Sequence, residues 1–147
     1  MRLSKHTMLL VAEDDVDDRM LIQKAFSKTW EAGKLVYVDN GEELLKYLKR
    51  QPPYISETEY PRPQIVLLDL NMPKKDGRQA LKEIKSDKEL CKIPVIVFTT
   101  SRRPDDIENM YKLGSNSYIT KPSSFDGLLT IAKEIEEYWF RTVELPV

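Results

Sequence analysis

Three short segments of this chain are apolar at every position, and this pattern restricts the fold more than any other. Met8–Ala12, Ile65–Leu68 and Val95–Phe98 each hold four or five consecutive apolar residues. A strand with one face in water alternates apolar with polar residues, so a continuous run predicts a strand covered on both faces. Such strands belong to parallel sheets with helices on each side, whereas a membrane span needs about eighteen apolar residues.

Helical patterns separate these strands, and the predicted order is strand then helix, five times. Residues 35–39 (LVYVD) and Ser117–Thr120 complete the set of strands, and the prolines at 52, 53, 61 and 63 predict a loop over 51–63. Right-handed connections between parallel strands then give a doubly wound open sheet. The five helices are marked by apolar positions 21–26, 44–48, 80–84, 107–113 before Gly114, and about 125–140.

The length and charge of the chain exclude several classes of protein. At 147 residues the chain predicts a single domain, and its 23 basic and 24 acidic residues nearly cancel, so no net field attracts nucleic acid or an anionic membrane. With one cysteine and one histidine, neither a disulfide framework nor a zinc cluster can form. Because no segment has the length of a signal-peptide core, we expect a cytoplasmic protein with no nucleic-acid or membrane partner.

Polar and charged side chains follow four of the five predicted strands. In a doubly wound sheet, ligands bind outside the carboxyl ends of the strands, so these residues are candidates for one site. They are Glu13, Asp14 and Asp15 after the first strand, Asp69 and Asn71 after the third, Thr99, Thr100 and Ser101 at the fourth, and Lys121 after the fifth.

Carboxylates without imidazole or thiolate partners suit a hard cation such as Mg²⁺ or Mn²⁺. Three carboxylates close together repel one another, so we expect partial protonation of the acidic groups in a site without metal. A lysine and a threonine hydroxyl add donors for an oxyanion, and a carboxylate can act as the nucleophile that forms an acyl phosphate. The residue types therefore predict phosphoryl transfer to an aspartate.

These motifs resemble the response-regulator receiver domain of two-component signalling. The resemblance rests on Glu13-Asp14, the aspartate in LLDLNMPKKDG, the hydroxyl in FTTS and Lys121-Pro122, and it covers about residues 8–140. It implies an α/β, flavodoxin-like, five-stranded parallel sheet of order 2-1-3-4-5 with five helices. The whole chain, 1–147, is then a single receiver domain with a C-terminal extension at 141–147.

The resemblance also implies a role for each site residue. Asp69 accepts a phosphoryl group from a phosphohistidine on a sensor histidine kinase. Asp14 and Asp69 ligate Mg²⁺ directly, Glu13 helps through water, and the backbone carbonyl of Asn71 is a further ligand, whereas Asp15 is not one.

Three more residues complete the implied machinery. Thr99 and Lys121 contact the phosphoryl oxygens. Tyr118 fills the aromatic switch position, and we expect its ring to turn inward from an exposed position once Thr99 binds the phosphoryl group. The chain then works as a signalling protein with at most weak self-dephosphorylation, and it signals through a changed surface.

The proline-rich stretch at 51–63 and the tail EYWFRTVELPV resemble the small single-domain receivers that partner bacterial phytochromes. That resemblance suggests a bacteriophytochrome as the kinase. It also suggests a homodimer formed through helix 4, strand 5, helix 5 and the C-terminal extension. The aromatic cluster Tyr138–Phe140 could pack into the core or form a surface for a partner, and the sequence favours neither role over the other.

Other functions and simpler roles compete with this interpretation. A haloacid-dehalogenase-like phosphatase also uses an aspartyl phosphate, formed in an Asp-x-Asp motif. The corresponding segment here is Asp69-Leu70-Asn71, which lacks the second aspartate, and the acidic pair comes before it instead of after the lysine. The five glycines form no nucleotide-binding motif. Asp17 and Asp18 are interpreted as partners of the helix dipole.

Overall fold

The computed structural model of the protein describes residues 7–30 and 33–146. Within these residues, five parallel strands form one sheet in the order β2-β1-β3-β4-β5, as the sequence predicts. The strands are β1 (Met8–Ala12), β2 (Lys34–Val38), β3 (Ile65–Leu68), β4 (Val95–Thr99) and β5 (Ser117–Thr120). The α-helices are α1 (Val16–Ser27), α2 (Gly41–Leu48), α3 (Gly77–Ser86), α4 (Pro104–Lys112) and α5 (Phe125–Ile135).

Short polar side chains cap the first turn of most of the α-helices and thereby fix where each helix begins. Asp15, Asn40, Asp76 and Ser124 each accept a hydrogen bond from the backbone N–H three residues later, at the first turns of α1, α2, α3 and α5. These bonds satisfy donors that a helix start leaves free. The caps of α1, α2 and α5 come two to four residues after β1, β2 and β5 end, so these helices begin close to the edge of the sheet where the sequence predicts the site.

The sheet separates two apolar layers, and neighbouring residues of one strand point into different layers. Leu10 packs on one side with residues of α2, α3 and α4, whereas Leu9 and Val11 pack on the other side with α1 and α5. Every residue of β1, β3 and β4 is buried. The continuous apolar runs therefore correspond to strands covered on both faces, which confirms the predicted layer architecture.

The end of the last helix differs from its prediction to about Phe140. The α-helix ends at Ile135, and a π-helical segment continues over Glu136–Thr142. Phe140 is fully buried there and meets the Trp30 ring edge-on, with centroids 4.6 Å apart. This wider turn brings Phe140 into the core, while Tyr138 remains 54% exposed. One ring of the cluster thus closes the core and another faces solvent.

The proline-rich stretch is a loop, as predicted, and it packs against α2. Tyr54 and Tyr60 lie against Tyr47, with ring centroids 5.0–5.8 Å apart. The Tyr47 hydroxyl donates to the Pro61 carbonyl at 2.8 Å, and the Tyr54 hydroxyl donates to Glu43 at 2.5 Å. One smaller difference concerns β2, which ends at Val38, before Asp39. No helix in the described part of the chain is long and apolar enough to cross a membrane.

Candidate phosphoryl-acceptor site

Three acidic residues meet where β1 and β3 end side by side. The Asp69 N–H donates to the Ala12 carbonyl at 3.1 Å, and the Glu13 N–H donates to the Val38 carbonyl at 3.1 Å. Glu13, Asp14 and Asp69 can each offer a carboxylate oxygen within 4.8 Å of the others. The parallel pairing of β1 with β3 thus joins residues more than fifty positions apart into one cluster of hard oxygen ligands suited to a divalent cation.

The three carboxylates lie in different surroundings. Glu13 and Asp69 are buried, whereas Asp14 is exposed. Burial raises the pKa of Glu13 to about 7, with the charge of Asp69 acting in the same direction and the hydrogen bond from Lys121 acting against it. The direction is the one expected for crowded carboxylates, but burial contributes more to it than repulsion from Asp69 does.

Lys121 supplies the positive charge that balances this cluster. Its Nζ donates to Glu13 at 2.5 Å and to Asp69 at 3.3 Å, and its backbone N–H donates to the Thr99 carbonyl at 2.7 Å. Burial opposes the charge of the ammonium group, but hydrogen bonds to Asp18 and Glu13 and the charge of Asp69 outweigh it and raise the pKa of Lys121 above its usual value. The lysine therefore stays charged inside the site.

Asp18 belongs to this site, contrary to its interpretation as a partner of the helix dipole. Its Oδ2 accepts a hydrogen bond from Lys121 Nζ at 2.8 Å. Asp17, its neighbour in the same turn of α1, is exposed. The sequence shows only two adjacent acids at a helix start. A rotation of about 100° per residue means that they point in different directions, but which one faces the sheet depends on how α1 is turned against it.

Arg19 is a second residue that the sequence interpretation missed. Its Nε donates to the Glu13 carbonyl at 2.6 Å, its guanidinium forms an ion pair with Asp39, and it lies 5.7 Å from the centre of the Tyr37 ring. These contacts fix the backbone at the end of β1, where the two acidic residues of the cluster follow each other. The Arg19 side chain is a support for that segment.

The loop between β3 and α3 is held close to Asp69 and requires a glycine. The Gly77 N–H donates to the Leu70 carbonyl at 2.9 Å, and a Cβ at Gly77 would lie 2.2 Å from the Asp69 carbonyl oxygen. Asp76 and Gln79 close the start of α3 with reciprocal hydrogen bonds. Asn71 is exposed within this loop, two residues after the central aspartate.

Thr99 ends β4 with its side chain fully buried. Its hydroxyl oxygen has no hydrogen-bond partner among the described residues, although a buried hydroxyl without a partner costs about 1–3 kcal/mol. The register pairs Leu68 with Val97, so Asp69 and Thr99 emerge at the same edge of adjacent strands. The hydroxyl is therefore a buried donor without a partner in the described part of the chain, at the edge of the sheet where Asp69 also lies.

Tyr118 lies on β5 and connects to the loop after β4. Its ring is half-buried against the core and its hydroxyl donates to the Ser101 carbonyl at 2.9 Å. The Ser101 hydroxyl donates to Asp106 at 2.6 Å, and Arg78 donates to the same carboxylate at 2.9 Å. The expected exposed starting position of Tyr118 is therefore wrong for this structure, because the hydrogen bond to Ser101 holds the ring partly inside.

The model of the response regulator receiver domain matches residues 9–133 of this chain. The chain belongs to this family. Response regulator Rcp1 of Synechocystis sp. is 38% identical over 139 residues, which are 95% of this chain and 92% of that protein. The phosphorylated cyanobacterial phytochrome response regulator RcpA has a TM-score of 0.89 to this receiver at 43% identity, covering 97% of this chain and 99% of that chain.

A second structure bears on the acidic cluster of this receiver. The Mn²⁺-bound form of Rcp1 matches it with a TM-score of 0.85 at 38% identity, covering 96% of this chain and 99% of that chain. These likenesses confirm the flavodoxin-like receiver fold and the interpretation as a response regulator, and they do not support the phosphatase alternative.

Proposed function

We propose that this response regulator accepts a phosphoryl group on Asp69 from a phosphohistidine of a sensor histidine kinase and that residues 1–147 act as one receiver unit. The observation that carries the proposal is the environment of the Asp69 carboxylate. It is buried beside Glu13, lies within reach of the Lys121 ammonium group, and shares one edge of the sheet with the Thr99 hydroxyl, which has no partner among residues 7–30 and 33–146.

In the proposed transfer, a carboxylate oxygen of Asp69 forms a bond to phosphorus while the phosphorus–nitrogen bond of the phosphohistidine breaks. The electron pair of that bond remains on the imidazole. The imidazole leaves as a neutral ring, because its other nitrogen already carries a proton or because the ring takes a proton from solvent. Lys121 and Thr99 then donate to the phosphoryl oxygens, whose charge is the main obstacle to such transfers. The product is an acyl phosphate.

We propose that Mg²⁺ is the cation, with Mn²⁺ as a substitute. Asp14 and Asp69 would hold it directly, Glu13 through water, and Asn71 through its backbone carbonyl. A bound divalent cation would neutralise charge on the carboxylates and on the transferred phosphoryl group. The hard oxygen donors of this chain support the assignment.

The surface beside the acidic cluster supports a protein as the phosphoryl donor. Val16, Met20 and Leu21 on α1 are 46–65% exposed although they are apolar. A kinase that places its phosphohistidine over Asp69 would cover this face of α1 and bury these side chains. Because RcpA is described as a phytochrome response regulator, we propose a bacteriophytochrome as the cognate kinase.

For the output, we propose that Thr99 and Tyr118 transmit the change to a homodimer surface on α4, β5, α5 and the C-terminal extension. Tyr111 on α4 is 49% exposed and Tyr138 in the extension is 54% exposed, and both can pack against a second copy. Light scattering at high protein concentration, before and after phosphorylation, tests this part. A strict monomer in both states would remove it.

The main test is direct labelling. The protein is incubated with acetyl phosphate and Mg²⁺, and its intact mass is measured over time. We expect one added phosphoryl group that requires Mg²⁺, is lost in base and maps to the peptide containing Asp69. Absence of labelling from acetyl phosphate and from a phosphorylated histidine kinase would refute the proposed function.

A further inference from the structure

Lys121 has three N–H donors, and in the described part of the chain each finds a different carboxylate. The partners are Glu13 at 2.5 Å, Asp18 at 2.8 Å and Asp69 at 3.3 Å. Two of them belong to the cluster that we propose binds the cation and the phosphoryl group. Asp18 stands apart from that cluster, because it is carried by the first turn of α1.

The position of Asp18 is fixed by its own backbone. Its N–H donates to the Asp15 carboxylate at 3.0 Å, which is the cap of α1, and the Asp15 N–H donates to the second oxygen of Glu13 at 3.2 Å. The start of α1 is thereby tied to the acidic cluster. The Asp18 carboxylate reaches Lys121 from a helix that is already anchored, so little side-chain freedom is lost in forming the contact.

Burial shows which side of the ammonium group Asp18 occupies. The side chains of Glu13 and Lys121 are 2% and 10% exposed, whereas that of Asp18 is 38% exposed. Asp18 therefore lies on the solvent side of the ammonium group and Glu13 on the inner side. Without Asp18, the two inner carboxylates alone would hold the lysine, and its charge would be drawn inward.

We propose that Asp18 is a positioning residue that holds the Lys121 ammonium group at the mouth of the site, where it can donate to a phosphoryl oxygen on Asp69. The inference rests on the proposed function. When the cation and the phosphoryl group take up the oxygens of Glu13 and Asp69, the bond to Asp18 is the one that remains. Lys121 then exchanges its bonds to these two carboxylates for a bond to a phosphoryl oxygen, without leaving its place.

The test compares the rates at which variants react with acetyl phosphate at saturating Mg²⁺, followed by intact mass. In this reaction an Asp69 oxygen bonds to phosphorus, the phosphorus–oxygen bond to the acetyl group breaks, and acetate leaves with the electron pair. We expect Asp18→Asn and Asp18→Ala to react about tenfold more slowly. This factor corresponds to the loss of one charge-assisted hydrogen bond, from Lys121 to a phosphoryl oxygen, in the transition state. Asp18→Glu should recover much of the rate.

Asp17→Asn is the matched control, because it removes the same charge from the same turn of α1 and its side chain is exposed. Loss of negative charge near an anionic donor would by itself accelerate the reaction. We therefore expect Asp17→Asn to react within about twofold of wild type, or faster. A slower Asp18→Asn cannot then be explained by net charge or by the helix dipole.

A combined variant shows whether Asp18 acts through the lysine. In a Lys121→Met background, Asp18→Asn should change the rate less than twofold, because the group that it positions is gone. Thermal unfolding of each variant checks that it folds, and Asp18→Ala replaces the asparagine variant if that variant does not fold.

Three outcomes would overturn the inference about Asp18. They are equal rates for Asp18→Asn and Asp17→Asn, an unchanged tenfold loss in the Lys121→Met background, and no recovery in Asp18→Glu. In each case labelled wild-type protein would leave the proposed function standing. Wild-type protein that takes up no phosphoryl group would refute both.

Discussion

Replacing Thr99 by valine tests the buried hydroxyl at the end of β4. The side chain is 0% exposed, and its oxygen has no hydrogen-bond partner among residues 7–30 and 33–146. Valine has nearly the same shape but carries a methyl group in place of the hydroxyl. Most substitutions in a core destabilise a protein, and this one should do the opposite in the unphosphorylated state.

The magnitude follows from the desolvation of the hydroxyl. Burying such a group without a partner costs about 1–3 kcal/mol, and the valine variant avoids that cost. We expect the free energy of unfolding to rise by about 1–2 kcal/mol. For a chain of this size that corresponds to an increase in Tm of roughly 3–6 °C.

The same substitution should remove a stabilising hydrogen bond in the phosphorylated state. A hydrogen bond from the Thr99 hydroxyl to a charged phosphoryl oxygen is worth about 1.5–3 kcal/mol, enough to shift a two-state population by roughly ten- to a hundredfold. In the valine variant this bond is missing. The extra stability that phosphorylation gives to the wild-type protein should shrink by that amount.

The assay is thermal unfolding under two conditions, with EDTA and with Mg²⁺ plus beryllofluoride, a stable mimic of the phosphoryl group. Thr99→Ala is the companion variant, because it removes the hydroxyl and also a methyl group whose loss costs about 1 kcal/mol. With EDTA we expect the valine variant to have the highest Tm, and wild type and the alanine variant to have lower Tm values that are close to each other. Both variants should still be labelled on Asp69 but lose the phosphorylation-dependent change in partner binding.

Two results would refute this reasoning. A valine variant that unfolds at or below the Tm of the alanine variant with EDTA would mean that the hydroxyl is already satisfied in the unphosphorylated protein. A valine variant that gains as much stability as wild type from beryllofluoride would mean that Thr99 does not bind the added group.

Three further predictions concern the acidic groups. Asp69→Asn should abolish labelling by acetyl phosphate and by a phosphohistidine donor, because an amide is not a nucleophile; base-labile phosphate at the wild-type level would contradict the assignment. Mg²⁺ should raise Tm by relieving carboxylate repulsion in the folded site, and Asp14→Ala should lose most of that increase; equal Tm values with EDTA and with excess Mg²⁺ would exclude the site. Hydrogen bonds from Ser101 and Arg78 hold the pKa of Asp106 below its usual value, so its contribution to stability is present above about pH 4 and is lost as the pH falls through the folded pKa. Asp106→Asn should therefore lower Tm at pH 7, and the difference from wild type should narrow in acid; a constant difference from pH 7 to pH 3 would contradict this.

The sheet and most of the site were predictable because both depend on local patterns. Continuous apolar runs require a strand covered on both faces, and helices between such strands require parallel pairing. Parallel pairing in turn brings all the carboxyl ends to one edge. Residues such as Asp69 and Lys121 are therefore neighbours in space for a reason that can be read along the chain.

The geometry after α5 was not predictable in the same way. Apolar and aromatic residues continue at near-helical spacing to Phe140, so the sequence favours one unbroken α-helix. The π-helical segment instead turns Phe140 onto Trp30, more than a hundred residues earlier. The choice between the two helix types depends on which contacts that ring finds, and those contacts are long-range.

The sequence by itself determined the fold class, the edge of the sheet that carries the site, and the residue types that meet there. Tertiary structure alone decided which of two adjacent acids joins them: Asp18 binds Lys121, 103 positions away, while Asp17 faces solvent. It also decided that the Thr99 hydroxyl is left without a partner among the described residues, whereas Thr100 is exposed. The physical reason is that composition and spacing fix which groups are available, but the rotation of α1 and the packing around β4 fix where each side chain points.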